Sequence, residues 1–103
     1  MQRQIIYNLV EGDTYPPMPV RFTDMDLRLY ASITMHVRRA DGTRFQKILT
    51  KHPTDYELAF VTWSATDLAR GRYLAEFKLV QSGILTVTLP RRYLAVLNIR
   101  GDI

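Results

Sequence analysis

The chain has 103 residues, with fourteen Lys and Arg against ten Asp and Glu, a formal net charge of +4 and no cysteine. That length suits one domain around one hydrophobic core and leaves no room for a second, so residues 1–103 are expected to fold as a unit. The lack of cysteine excludes disulfides and thiolate metal sites, and five Gly with five Pro are too few for a low-complexity chain.

The N-terminal stretch MQRQIIYNLV carries one basic residue and a brief apolar run, too short for a signal-peptide core or a membrane span. A soluble, unprocessed product is the expectation. Neither Asn8 nor Asn98 begins a glycosylation sequon.

In chain order, Gln4 to Val10 reads as a first strand and Met18 to Phe22 as a second, separated by a loop in which Gly12, Pro16 and Pro17 break any ladder. Asp24 and Asp26 mark a turn. Ile33, Met35 and Val37 then alternate with Thr34, His36 and Arg38, which predicts a strand with one buried face. Asp41-Gly42 is a hairpin signal, because a tight turn needs positive φ and Gly supplies it; Arg44 to Lys51 should return antiparallel. A loop at His52-Pro53-Thr54-Asp55 leads into a strand from Leu58 to Trp63. Ser64, with Asp67 three residues on, could cap a single helical turn before Gly71. From Gly71 to Val80, Tyr73, Ala75, Phe77 and Leu79 share one parity while Arg72, Glu76 and Lys78 share the other. Ile84 to Leu89, stopped by Pro90, runs back, and Tyr93 to Ile99 is the last strand. Seven or eight short strands and no long helix predict an all-β antiparallel sandwich, with a small barrel as the alternative.

The basic residues stand in pairs beside turns, as Arg38-Arg39, Arg70 with Arg72, and Arg91-Arg92. They lack interleaved exposed aromatics or a helical stripe, so they predict a solvated or protein-contacting surface rather than a nucleic-acid site. Trp63 could be a sugar-stacking platform, but a core or edge aromatic is the favoured reading. Tyr73 is assigned to the core; Tyr7, Tyr15, Tyr56 and Tyr93 are left free to contact a partner. His36 and His52 lack metal-ligand spacing, and Asp24 with Asp26 lack the further oxygen ligands of a calcium loop. Ser64 and Thr66 have no partner base. No catalytic, cofactor-binding or metal-binding residue is therefore assigned, and no enzyme activity is expected. Arg100-Gly101-Asp102 is read as a chance tripeptide in a frayed tail. The strand Gln4 to Val10 could extend a neighbouring subunit's sheet, although pairing within its own sandwich is favoured.

Taken together, Glu11-Gly-Asp-Thr-Tyr-Pro-Pro17, Asp26-Leu27, Ile33-Thr-Met-His-Val-Arg-Arg39 with Asp41-Gly42, Phe60-Val-Thr-Trp63, Gly71-Arg-Tyr-Leu-Ala-Glu-Phe77 and Leu89-Pro90 resemble the immunoglobulin-like N-terminal domain of phage baseplate upper proteins, over nearly the whole chain. The resemblance implies an immunoglobulin-like β-sandwich in the virion, made in the host cytoplasm and placed in the tail, baseplate or a neighbouring part. It implies symmetric copies that form a homo-oligomer and bind other phage structural proteins, without cofactor, nucleic acid or membrane. A capsid decoration protein and a carbohydrate-binding adsorption module are the alternatives.

Overall fold

The computed structural model describes residues 3–10, 12, 17–39, 41–64, 67, 69–81, 85–89 and 93–100. Nine strands are assigned among them: β1 (Arg3–Val10), β2 (Met18–Arg21), β3 (Ser32–Arg38), β4 (Arg44–Ile48), β5 (Thr50–Lys51), β6 (Leu58–Val61), β7 (Gly71–Gln81), β8 (Leu85–Leu89) and β9 (Tyr93–Arg100). One sheet runs β1-β9-β7-β3-β4, with β8 also on β7, and the other runs β2-β6-β5. These are the C′–C–F–G and B–E–D groupings of an immunoglobulin-like sandwich, as β4-β3-β7-β9 and β2-β6-β5. The expected class is therefore correct. Two details differ: the count is nine, and β1 pairs with β9 in parallel, Arg3 opposite Tyr93 through Val10 opposite Arg100.

The alternation seen in the sequence is what closes the two sheets on each other. Ile33, Met35 and Val37 of β3, Tyr73, Phe77 and Leu79 of β7, and Leu97 and Ile99 of β9 face Met18, Val20, Ala59 and Val61 of the second sheet, all buried. Each such aliphatic side chain stabilises the fold by roughly 1.5–3 kcal/mol when fully removed from water. Phe22 meets Phe77 edge-on, with ring centroids 5.5 Å apart. Trp63 is buried in the same core, which excludes its use as an exposed stacking platform.

The extra strand arises at Leu49. The run Arg44 to Lys51 does not stay in one sheet: β4 pairs with β3, β5 pairs with β6, and buried Leu49 lies between them, its N–H donated to the Ile33 carbonyl at 2.9 Å. The hairpin joining β3 to β4 turns at Gly42, whose φ is +90°, with Asp41 Oδ1 accepting from the Thr43 N–H at 2.9 Å. At the start of β7 the Tyr73 hydroxyl donates to the Ala69 carbonyl at 2.6 Å, which is the tyrosine corner of this fold class.

The turn at Asp24 and Asp26 holds a short 3-10 helix, Leu27–Leu29, capped by Asp26. Arg28 pairs with Asp26 at 2.7 Å and lies over the Tyr56 ring. Arg21 bridges Asp55 at 2.8 Å and Glu57 at 3.3 Å, tying the end of β2 to the segment before β6. The Ser64 N–H donates to Asp67 Oδ2 at 2.7 Å, half of the expected capping box, but no helix is assigned at the described residues there. The Pro-bearing loop at 13–16, the stop at Pro90 and the tripeptide at 100–102 fall wholly or largely outside the described residues.

Candidate functional site

Successive strand residues point to opposite faces, so burying Ile33, Met35 and Val37 turns Thr34, His36 and Arg38 outward. The register then places three outward rows side by side across β7, β3 and β4. Arg38 stands opposite Leu74 and Arg44; His36 stands opposite Glu76 and Gln46; Thr34 stands opposite Lys78 and Ile48. The first row continues through Val96 of β9, opposite Leu74, to Ile6 of β1, opposite Val96. This face is apolar at its β1 side and cationic at its β4 side. Val96 is only 1% exposed although its parity faces away from the core.

The cationic side forms an open concavity of about 490 Å³, lined by His36, Arg38, Arg44, Gln46, Glu76 and Lys78 over a floor that includes Leu74. Arg38 and Arg44 are directly opposed in the ladder and both exposed, an arrangement that costs roughly 0.2–1 kcal/mol where nothing compensates it. Among the described residues neither has an ion-pair partner, and Glu76 and Lys78 have none either. Several other charged side chains are already engaged. Asp26, Asp55 and Asp67 accept from Arg28, Arg21 and Lys47, and Lys51 donates to the Tyr30 carbonyl. The Arg28 and Arg21 guanidiniums hold the Asp26 and Asp55 carboxyls below the usual carboxylate range, mainly by hydrogen bonding.

Of the arginine pairs read in the sequence, Arg38 and Arg39 do not stay together. Neighbours along a strand diverge, and Arg39 lies over the Phe45 ring, 4.4 Å from its centroid, instead of beside Arg38. The useful pair is cross-strand, Arg38 with Arg44, and the hairpin signal at Asp41-Gly42 was the clue that could have found it. Arg72 is exposed, Arg70 is already engaged, and Arg91-Arg92 lies outside the described residues.

Of the tyrosines left free for a partner, Tyr7 is half-buried against the core and its phenol is pushed up by that burial. Tyr56 is exposed but covered by Arg28. Tyr15 and the Tyr93 side chain lie outside the described residues. His52 is a loop clamp, its Nδ1 accepting from the N–H groups of Thr54 at 3.1 Å and Asp55 at 2.9 Å. Among the described residues no three His, Cys, Asp or Glu side chains gather as metal ligands. No helix there is long and apolar enough to cross a membrane.

No family model matches the chain, and no curated protein does. Among solved structures it is similar to the crystal structure of CopC from Methylosinus trichosporium OB3b, with a TM-score of 0.55 and 13% identity over 100% of this chain and 90% of that one. At that identity the likeness establishes the fold and transfers no ligand. It nevertheless overturns the expectation of a phage virion protein, whether baseplate, tail or capsid decoration, because the shared architecture belongs to a protein of a different kind. The reason is visible in the residues that carried the phage resemblance. Met35, Trp63, Gly71, Tyr73, Phe77 and the Asp41-Gly42 turn are core, corner and turn positions, and these serve a sandwich whatever its task.

Proposed function

We propose that this protein is a non-catalytic binding module that takes an acidic, extended segment of a partner protein onto the outward face of β3, β4 and β7. The observation that carries this reading is the directly opposed, uncompensated Arg38 and Arg44 beside an open concavity. A carboxylate between them would relieve the mutual repulsion and gain charge-assisted hydrogen bonds from both guanidiniums.

The spacing of charges defines the ligand further. Along the strand direction the face reads cationic at Arg38 and Arg44, anionic at Glu76 and cationic at Lys78. The outer rows are four residues apart, or ~13 Å at strand rise. A segment in strand conformation matches this with acidic residues at positions i and i+4 and a lysine or other donor at i+2, all on one face. Glu76 at the centre disfavours a uniform polyphosphate, which sets this face apart from a nucleic-acid groove.

The test is a titration of isotopically labelled protein with two peptides, one patterned Glu-Thr-Lys-Thr-Glu and one with the charges reversed. The expected result is amide shifts on β3, β4 and β7 with the first peptide only, weakening as salt rises and at least roughly tenfold weaker in Arg38→Glu/Arg44→Glu. Equal responses to both peptides, or shifts confined to other strands, would dismiss the proposal.

A further inference from the structure

The edges of the two sheets are not equally defended. An open edge presents unpaired N–H and C=O groups, and natural sheets blunt such edges with Pro, inward-pointing charges or brevity. β2 carries Pro19, which has no N–H, and ends in the ion-paired Arg21. β4 places Lys47 on its core-facing row, paired to Asp67 at 2.7 Å. β5 has two residues, one of them Lys51. β8 has five, with Thr86 and Thr88 in its outward row.

β1 has none of these devices. It spans eight residues, RQIIYNLV, and among the described strands pairs only with β9, which leaves its second edge open. From Ile5 to Val10 it contains no charge, Pro or Gly. Ile5 and Ile6, at its middle, are 38% and 51% exposed. The register against β9 is pinned along the whole strand, with Asn98 Nδ2 donating to Asn8 Oδ1 at 3.2 Å, so this edge is presented straight rather than bulged.

We infer that β1 is a dimerisation edge, and that its occupant is the β1 strand of a second copy, added antiparallel about a two-fold axis so that the six-stranded sheets of both copies become one. The sequence of the strand favours a copy of itself over a foreign strand. A two-fold perpendicular to the sheet pairs residues of equal parity and keeps both cores on the same side. Centred on residue 6, it sets Ile6 against Ile6 of the second copy in the outward row and Ile5 against Tyr7 of the second copy in the core-facing row. The Ile6 side chains of the two copies therefore meet at the axis, where each covers the other's apolar surface, and Ile5 is covered by Tyr7 of the second copy. Self-pairing is punished wherever a charged residue meets its own kind, and the uncharged span from Ile5 to Val10 avoids this. The cationic face of β3, β4 and β7 would repel itself, which disfavours that face as the contact between copies.

Sedimentation equilibrium of the full chain from micromolar to near-millimolar concentration should show a reversible monomer–dimer equilibrium. Ile6→Lys puts a charge on the axis at an exposed position and should weaken the dimer at least roughly tenfold while leaving the thermal midpoint of the monomer unchanged. Because the chain has no cysteine, Ile6→Cys supplies a single thiol at a position that meets itself across an antiparallel ladder, within disulfide reach. It should cross-link the dimer under mild oxidation much faster than Ile48→Cys, which lies on the β4 edge and is 77% exposed. A monomer at every concentration, a dimer indifferent to Ile6→Lys, or equal cross-linking by the two cysteine variants would each overturn the inference.

Discussion

Tyr73 and Gly71 act as a pair. The Tyr73 ring is buried, its hydroxyl is satisfied by the Ala69 carbonyl, and Gly71 sits beneath it with φ at +150°. A Cβ at position 71 would stand 3.2 Å from Tyr73 Cε1, so an alanine there would meet both a disfavoured backbone region and the ring. Tyr73→Phe should cost about 1 kcal/mol through the lost hydrogen bond, and Gly71→Ala roughly 1–3 kcal/mol through strain. Both are read as a lowered denaturant midpoint, with the fluorescence of buried Trp63, the single tryptophan, reporting exposure. An unchanged midpoint in both variants would show that the corner does not hold the start of β7. Tyr73, Phe77 and Leu79 were legible in the sequence because parity alone assigns them to one face. Arg38 and Arg44 were legible as basic residues but not as an opposed pair, since opposition depends on the hairpin register between them.

β4 shows how one strand can be both edge and hinge. Its core-facing Lys47 is neutralised by Asp67, which also accepts from the Ser64 N–H. Burial would raise the Asp67 carboxyl, but Lys47 and Ser64 together outweigh it and hold the group below the usual carboxylate range. A folded pKa below the unfolded one means that the carboxylate stabilises at neutral pH and that this contribution disappears as pH falls below about 4. Asp26, Asp41 and Asp55 shift in the same direction, so stability should decline in acid overall. Asp67→Asn should be less stable than the parent at neutral pH and should lose less stability on acidification, as measured by thermal midpoints at neutral pH and about pH 3. A pH dependence identical to the parent's would remove Asp67 from the account. The passage from β4 to β5 was invisible in the sequence for a simple reason. Phe45, Lys47 and Leu49 keep one parity through the change of sheet, because both sheets face the same core. The parallel partner of β1 was equally hidden, since periodicity reports which face is buried and not which distant strand lies alongside.

At the scale of the molecule, one sheet carries both candidate surfaces, and they make different demands. The face of β3, β4 and β7 offers charge to a dissimilar partner, whereas the edge of β1 offers an uncharged ladder to its own copy. Because they lie at opposite ends of the strand order, an acidic ligand on the face and a second copy on the edge can be held together. The pairing of β1 with β9 has one more consequence, and it is mechanical. These are the first and last of the described strands and they run parallel, so Arg3 lies at one end of the shared ladder and Arg100 at the other. Tension applied between the two ends of the chain pulls them along the strand direction, and the hydrogen bonds of the ladder bear the load together instead of parting one at a time. Stretched by its ends, the domain should rupture in one abrupt step at high force, while a pull applied across β3 and β4 at their hairpin should unzip at a much lower one.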